Sequence, residues 1–383
     1  MQTVNALGRK EKTPLLSLRG PLAGRYWPTA AMVVFALVPF LGLASALGPI
    51  EPIIGMRLHM GAHALSVTMG MANAAYAVGT VLAVALGQRF GQRRLLVVYA
   101  AMLVTGSVLA AAAACPAMFI VGHVLQGLST SLLLIAAVPP LVTGFHKVAQ
   151  FRWTAVIMNL GIFGAVAAGP LVGEAEASFG TWRPLFWIVA AVAVAALLLV
   201  VLTFEDTPAT NRTAPTDLPA LGLAAAGCVA AFFGASELAT GSFGQATTLG
   251  PLFGGLALIV ALIVYQYRGK RVILDIRSLA TTMPVAAIVV AICAAAAAIS
   301  AIAVDMHVLA SHFTPLHLGL LYLPELGATA VTAAVFGMVF NRRSLHYLPL
   351  FGMACLCAGT AVLALFGPSA AVALTGSGLV GLG

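Results

Sequence analysis

The sequence predicts an all-α polytopic membrane protein with about 12 helices, and three observations carry that expectation. Of its 383 residues 61% are hydrophobic and only 8% charged, with a mean hydropathy of +1.04, whereas a soluble domain carries roughly 25% charged residues. The apolar residues fall in runs of roughly 20, enough to cross the hydrocarbon core of a bilayer. Finally, of the 19 Lys and Arg all but Arg57 and Arg183 fall in every second connection between those runs, as expected when cytoplasmic loops hold the positive residues. A water-soluble globule is excluded. The 39 Gly and 20 Pro are scattered without period, which excludes collagen-like and low-complexity chains.

Residues 1–28 form a polar, basic tail, too long ahead of its first apolar run to be a cleavable signal peptide. Between charge clusters follow apolar runs at 29–47, 66–86, 95–114, 118–142, 154–172 and 185–204, a six-helix N-terminal bundle over 29–204. A linker at 205–217 leads to two linker helices, 218–238 and 252–267, within 218–267. After a basic loop at 268–278 come runs at 279–304, 318–340, 347–365 and 370–383, an incomplete C-terminal bundle over 279–383. With the N-terminus inside, the inner connections hold Arg9, Lys10, Lys12, Arg19 and Arg25, then Arg89, Arg93 and Arg94, then Lys147 and Arg152. Arg212, then Arg268, Lys270, Arg271 and Arg277, and last Arg342 and Arg343 complete the set. This makes the tail, the linker and the basic loop cytoplasmic and the protein multi-pass in the cytoplasmic (inner or plasma) membrane. The net charge of +8 then reports topology and anionic lipid, not nucleic acid. The final run is short and ends without a polar tail, so the chain reads as truncated at its C-terminus: a helix stopping in hydrocarbon leaves carbonyls unsatisfied. The five cysteines have no metal-ligand spacing and read as small core or lipid-facing residues.

Several motifs fall in the connections and helices. Leu86-Gly87-Gln88-Arg89-Phe90-Gly91-Gln92-Arg93-Arg94 is a basic turn between the second and third helices. It resembles the loop signature of the major facilitator superfamily, G-x-L-A-D-R-x-G-R-K/R, at Leu86, Arg89, Gly91 and Arg93. Gln88 stands at the family's Asp and cannot supply its charge-assisted bond. An ordinary basic stop at an inner boundary is the alternative reading. Gly122-His123-Val124-Leu125-Gln126-Gly127 resembles R-x-x-Q-G with His123 at the Arg, and a histidine titrates where an Arg does not. The alternative is a neutral histidine satisfied inside the bundle. Gly169-Pro170-Leu171-Val172-Gly173-Glu174 is similar to the antiporter signature G-P-x-x-G-G, with Glu174 at the last Gly. Helix packing alone also accounts for those glycines. Trp182-Arg183-Pro184-Leu185-Phe186 resembles W-R-W-x-F, and the stretch from Thr314 to Pro324 resembles S-P-L-x-A-G-L-x-x-L-P. With two extra helices between the bundles, the chain resembles the fourteen-helix drug:proton antiporter branch. That resemblance implies a major facilitator fold, a gating loop at Leu86, Gln88, Arg89, Gly91 and Arg93, and an antiporter motif at Gly169, Pro170 and Gly173.

Ionisable residues inside a membrane are costly and so are functional candidates. Glu325, directly after Pro324, is the deepest carboxylate in the sequence and the first candidate for proton coupling. Asp305 and His123 follow, and Glu51, at the expected end of helix one between Pro49 and Pro52, comes last. Glu174, Glu176 and Glu237 fall at expected outer ends and read as solvated. His307, His312 and His317 have a spacing that fits no helix-face metal pair, so no metal is expected. Asn73 and Tyr76, three apart on one helix face, with Gln126, Met158 and Asn159, are candidates for the substrate path, or else form interhelical hydrogen bonds.

The resulting expectation is a secondary active transporter: proton-coupled export of lipophilic or cationic drugs and other small molecules, by rocking of two halves. A metabolite transporter of the same superfamily and a truncated, non-transporting remnant are the alternatives. No Gly-Lys-Ser or Gly-Lys-Thr occurs, so a Walker-type nucleotide loop is absent. Phe233-Gly234-Ala235-Ser236-Glu237 fails the G-x-S-x-G frame of a hydrolase, so the chain is not read as an enzyme. Small-molecule substrate, protons and membrane lipid are the expected partners of a monomer, with no cofactor and no nucleic acid.

Overall fold

The structure, a computed structural model, describes residues 20–145, 147–203, 217–238, 241, 244–269, 276–339 and 347–383. Most residues of the expected tail, the 205–217 linker and the basic loop, with Arg342 and Arg343, lie outside the described residues. The described residues form α1 (Tyr26–Leu58), α2 (Ala62–Arg89), α3 (Gln92–Ala111), α4 (Pro116–Thr143), α5 (Val148–Ser178) and α6 (Arg183–Thr203). They continue as α7 (Leu218–Glu237), α8 (Ala246–Arg268), α9 (Ile276–Leu279), α10 (Thr282–Leu309), α11 (Pro315–Leu321), α12 (Leu323–Val339), α13 (Tyr347–Leu365) and α14 (Ala370–Leu382). Every apolar run named above contains a helix, and no strand occurs among the described residues. Eleven helices are long and apolar enough to cross a membrane when α11 and α12 are counted as one span, and α14 is shorter. A multi-pass membrane protein follows: only helices satisfy their own backbone groups where no water is at hand.

Several helices outrun their expected ends, and two of them, α1 and α5, move candidate carboxyls into helix. α1 runs through Pro49 and Pro52 to Leu58, where His59 adopts a left-handed conformation (φ 54°) and closes the helix with its N–H on the Gly55 carbonyl. Apolar Ile50, Ile53 and Ile54 carry the run on, and proline is tolerated where neighbours cover the freed carbonyls. Glu51 is therefore inside α1, not at its end. α5 likewise continues to Ser178, so Glu174 and Glu176 lie within it. Glu176 Oε1 accepts from the Leu185 N–H at 3.2 Å and the Thr181 hydroxyl at 3.4 Å, capping the start of α6 rather than facing solvent.

The α1–α2, α3–α4 and α5–α6 turns lie at one end of the bundle, called the far end here. The opposite end, which carries residues 20–25, is the tail end. α1 packs on α4, α5 and α6, α2 on α4, and α3 on α4 and α6. Met32, Val33, Leu96, Leu103 and Leu133 fill one core, and Leu43, Ile50, Ile54, Phe119 and Phe186 fill the other. The hairpin α7–α8 lies on α2, with the His63 and Glu237 side chains 2.6 Å apart and the Ser66 hydroxyl donating to the Ser236 carbonyl at 3.0 Å. Ile302, Leu309, Leu318, Tyr322 and Leu356 form the core of the α10–α14 group. Trp27 and Trp153 meet at the tail end with centroids 5.7 Å apart, and Trp182 and Trp187 stand at the far end. Exposed Trp27, Trp153 and Trp187 fit the two bilayer interfaces, whereas Trp182 is buried in the far-end core.

α5 joins the two groups, with a different face for each. Gly173 lies against the Ala46 carbonyl and Gly169 against Ser45, so α1 and α5 are in backbone contact at both glycines. The other face packs along α11 and α12: Gly319 sits on Leu171 and Glu174, Leu326 reaches Gly164, and Gly337 sits on Val156. Without a hydrophobic drive between helices in lipid, such small-residue contacts supply the association. Gly173→Ala places a methyl against the Ala46 backbone, and overpacking of this kind costs about 1–3 kcal/mol. Thermal unfolding in detergent should show a lowered midpoint for Gly173→Ala and little change for Gly222→Ala, whose site has nothing within 4 Å of a built Cβ.

Candidate functional site

The site begins with a broken helix. Pro324 has no N–H to give the Leu320 carbonyl and its ring crowds that turn, so the span divides at Tyr322 into α11 and α12. Carbonyls freed by such a break need new donors in a membrane. The Ser377 hydroxyl of α14 donates to the Leu321 carbonyl at 3.3 Å. Inside α12 the Thr329 hydroxyl donates back to the Glu325 carbonyl at 2.8 Å. Gly381 of α14 lies against the Glu325 backbone and holds this part of the break from behind.

Two carboxyls stand at the break, one bonded to Tyr322 and the other three residues after it. The Tyr322 hydroxyl donates to Asp305 Oδ2 at 2.7 Å. Asp305 is inside α10, one turn before its end and 7% exposed, not at a solvated terminus. Glu325 stands in the first turn of α12, and its Oε2 is shut away from solvent without a hydrogen-bond partner. Glu325 follows Tyr322 by three residues, and Glu174 lies against Gly319, three residues before it. Glu174, expected to be solvated, is 7% exposed. Among the described residues no Lys or Arg pairs with any of these carboxyls. A cleft of about 330 Å³ between α10 and the end of α13, lined by Ser300, Val304, Thr360, Leu363 and Phe366, reaches Asp305. A shallower groove of about 590 Å³ runs along α8 by Val264, Tyr265 and Arg268, apart from this cluster.

The remaining candidates are dispersed. His123 is 2% exposed and boxed by the rings of Phe40, Phe119 and Phe186 at 5.8, 5.9 and 6.5 Å. Its Nδ1 donates to Gln126 Oε1 at 3.1 Å, and Gln126 Nε2 donates to Ser107 at 3.1 Å, so Gln126 is fully enclosed and bonded at both ends of its amide. Tyr76 stacks on Phe40 at 5.7 Å, while Asn73, one turn away, is exposed. Asn159 donates to the Ala155 carbonyl of its own helix at 2.8 Å, and Met158 packs at the edge of the tail-end core. Glu51 is half-buried in α1.

In the basic turn, Phe90 and Gly91 alone separate α2 from α3. Arg89 ends α2 and is exposed, Leu86 and Gln88 are half-buried in its last turn, and Arg93 opens α3. The adjoining Gln92 donates to the Ala136 carbonyl of α4 at 2.8 Å and ties the turn to the bundle. Gly169 and Gly173 serve the α1 contact, with Pro170 buried between them. His307, His312 and His317 are exposed, and among the described residues no group of three or more His, Cys, Asp or Glu is placed to hold a metal ion.

Sequence reasoning missed Tyr322 and underrated Glu174. A hydroxyl one turn from a Pro-Glu pair was the available signal for Tyr322, since residues three apart share a helix face. Burial of Glu174 depends on α11 arriving against α5, which no local pattern encodes.

Residues 32–383 match the family model described as Major Facilitator Superfamily. Similar proteins include the uncharacterized MFS-type transporter YubD of Bacillus subtilis, 24% identical over 85% of this chain and 65% of the relative. The MFS-type transporter poxA of Penicillium oxalicum is 26% identical over 88% of this chain and 63% of its own length. The tetracenomycin C resistance and export protein of Streptomyces glaucescens is 25% identical over 86% and 61%. This chain thus spans less than two thirds of the length of these relatives. Among solved structures, the peptide transporter POT in complex with sulfate superposes with a TM-score of 0.54 at 18% identity, covering 94% of this chain and 82% of that one. The human organic anion transporter MFSD10 gives 0.56 at 13% identity, covering 94% and 84%. Those identities speak for the fold alone, while the family match spans nearly the whole sequence. The chain belongs to the Major Facilitator Superfamily.

Proposed function

We propose that this protein is a secondary active exporter of the fourteen-helix drug:proton antiporter branch. It exchanges protons for lipophilic or cationic small molecules across the cytoplasmic membrane, with its tail end in the cytoplasm. The observation that carries the reading is two carboxyls at the broken helix in a chain of a transporter family: buried Asp305, bonded to Tyr322, and half-buried Glu325, whose Oε2 is shut from solvent without a partner. Carboxyls so placed in a membrane protein are suited to carrying protons. Similarity to a resistance and export protein favours outward transport of small molecules, as do the motif at Gly169, Pro170 and Gly173 and the helix pair α7–α8. In this reading His123, boxed by rings, supports α4 rather than carrying protons. The α2–α3 turn is the gating loop, and Tyr76 and Asn73 line the path of the substrate.

The test is an imposed pH gradient across vesicles holding the full-length protein. Addition of a lipophilic cation should dissipate the gradient. If no member of a lipophilic cation panel does so while a metabolite does, the metabolite-transporter alternative replaces this one. If no solute of either kind does so, the non-transporting alternative replaces it. Glu325→Gln should abolish proton-driven transport while leaving membrane expression unchanged, and undiminished transport by that variant removes Glu325 from the mechanism. Tyr322→Phe keeps the ring and removes one hydrogen bond to a charged group, worth about 1.5–3 kcal/mol. Proton-driven exchange by that variant should slow by about tenfold or more, measured as initial rate in the same vesicles.

A further inference from the structure

We propose that the groove along the outer face of α8 is a binding site for an anionic phospholipid, with one acyl chain in the groove and the phosphate at Arg268 and Arg277. The site lies on the α7–α8 hairpin, apart from the carboxyls at the broken helix, and stands or falls independently of the transport reading.

The groove follows from the spacing of small residues. Ala257, Ala261 and Tyr265 succeed one another at intervals of four, and Val260, Val264 and Arg268 form the adjoining row, so the six share one helix face. All six are exposed. The two alanines leave a trough of about 590 Å³ beside the valines, open at the Arg268 end. On its other side α8 packs against α7, with Gly255, Leu262 and Gln266 buried, so the trough faces away from the hairpin. From Arg268 to Ala257 the helix rises about 17 Å, close to half of a hydrocarbon core about 30 Å thick. The trough is therefore one leaflet deep, the reach of an acyl chain and far more than a free phosphate would occupy.

The open end is basic. Glu237 closes α7 beside His63 at the far end, so α8 runs back towards the tail end and carries Arg268 in its last turn. Arg277 folds onto the same place: its Nε donates to the Tyr267 carbonyl at 2.7 Å, and its guanidinium lies over the Tyr267 ring at 5.9 Å. One nitrogen of Arg277 thus closes the helix, and among the described residues its two terminal nitrogens have no partner. Arg268 likewise pairs with no carboxylate among the described residues. The acid at this end, Asp217, is engaged by the Ala220 N–H at 3.2 Å, the Tyr265 hydroxyl at 3.1 Å and the Gln266 side-chain amide at 3.2 Å. Those bonds clamp α7 to α8 and fix Tyr265 at the wall of the groove. In the sequence, residues 268–277 hold Arg268, Lys270, Arg271 and Arg277 against Asp275 alone.

Guanidinium forks match phosphate oxygens in geometry and charge, and basic residues at a membrane surface draw anionic headgroups. An apolar trough one leaflet deep that ends at two arginines is complementary to a single molecule with an acyl chain and a phosphate. A zwitterionic phospholipid would bring its own cation into a positive site, so the lipid selected carries net negative charge.

The experiment attaches a bimane fluorophore at Ile263→Cys, exposed beside the groove, after replacement of the five native cysteines. The full-length protein is placed in vesicles of phosphatidylcholine and phosphatidylglycerol, with brominated chains on one lipid and then on the other. Bromine quenches the fluorophore on contact, and the two series give the relative binding constant of the lipids at the groove. Phosphatidylglycerol should be preferred, and Arg268→Gln and Arg277→Gln should each lower that preference about fivefold. Ala261→Phe, which fills the trough and leaves both arginines, should remove it. A fluorophore at Ile292→Cys, on the exposed face of α10, should report no preference. Equal binding of the two lipids at Ile263→Cys overturns the site. A preference that survives Ala261→Phe overturns it too, because the arginines then gather lipid by surface charge without the groove. Glycerol phosphate added in solution should leave the quenching unaltered, and relief of quenching by it would replace the lipid with a soluble phosphate as the occupant.

Discussion

Hydrocarbon offers no hydrogen bond, and that constraint organises the whole molecule. A backbone N–H or C=O left unpaired in lipid costs several kcal/mol, so the chain resolves into helices that pair their own groups. Where the pairing fails, another helix must repair it. The break at Tyr322 is such a place. Pro324 ends the continuous ladder, and Ser377 then bonds the freed Leu321 carbonyl. Gly381 brings the α14 backbone against Glu325. The defect gives Tyr322 and Glu325 positions that an unbroken helix would not, one facing Asp305 and the other opening a new first turn.

The same constraint explains how the parts of the bundle hold together. Apolar side chains gain little from meeting each other in a solvent as apolar as they are, so close van der Waals contact and a few polar bonds decide the packing. α5 illustrates this. Its glycines at 169 and 173 bring one face onto α1, while Leu171 and Glu174, on the other face, meet Gly319 of α11. A helix that packs tightly on both sides transmits any change at one contact to the other. In the proposed transport cycle, rocking of the halves acts on the seam that α5 shares with α11 and α12.

Much of this architecture was legible in the sequence, because the membrane makes hydropathy a direct readout of where a chain can cross. Every apolar run became a helix, and the α2–α3 turn reduced to Phe90 and Gly91, as its glycines and charges suggested. Helix ends were less legible. Pro49 and Pro52 looked like stops but lie inside α1, since its carbonyls have neighbours that a lone helix lacks. Reading α5 as ending near Val172 left Glu174 in water, whereas six more residues of helix and the arrival of α11 bury it. The Tyr322–Asp305 bond spans two helices, and neither residue's neighbours in sequence announce it. Gly173 could be assigned to close packing from its motif, yet only the fold shows that its partner is Ala46.

In the proposed exporter, buried Asp305 and half-buried Glu325 at the broken helix carry the protons of transport. Infrared difference spectroscopy of the purified full-length protein in lipid, across a pH titration, tests it most directly, because a protonated carboxyl has its own carbonyl stretch. Such a band should be present at the pH of active exchange and disappear on alkalinisation, and Glu325→Gln should lose a defined component of it. Absence of any protonated-carboxyl band throughout the active range, or a band unaffected by that substitution, would contradict it.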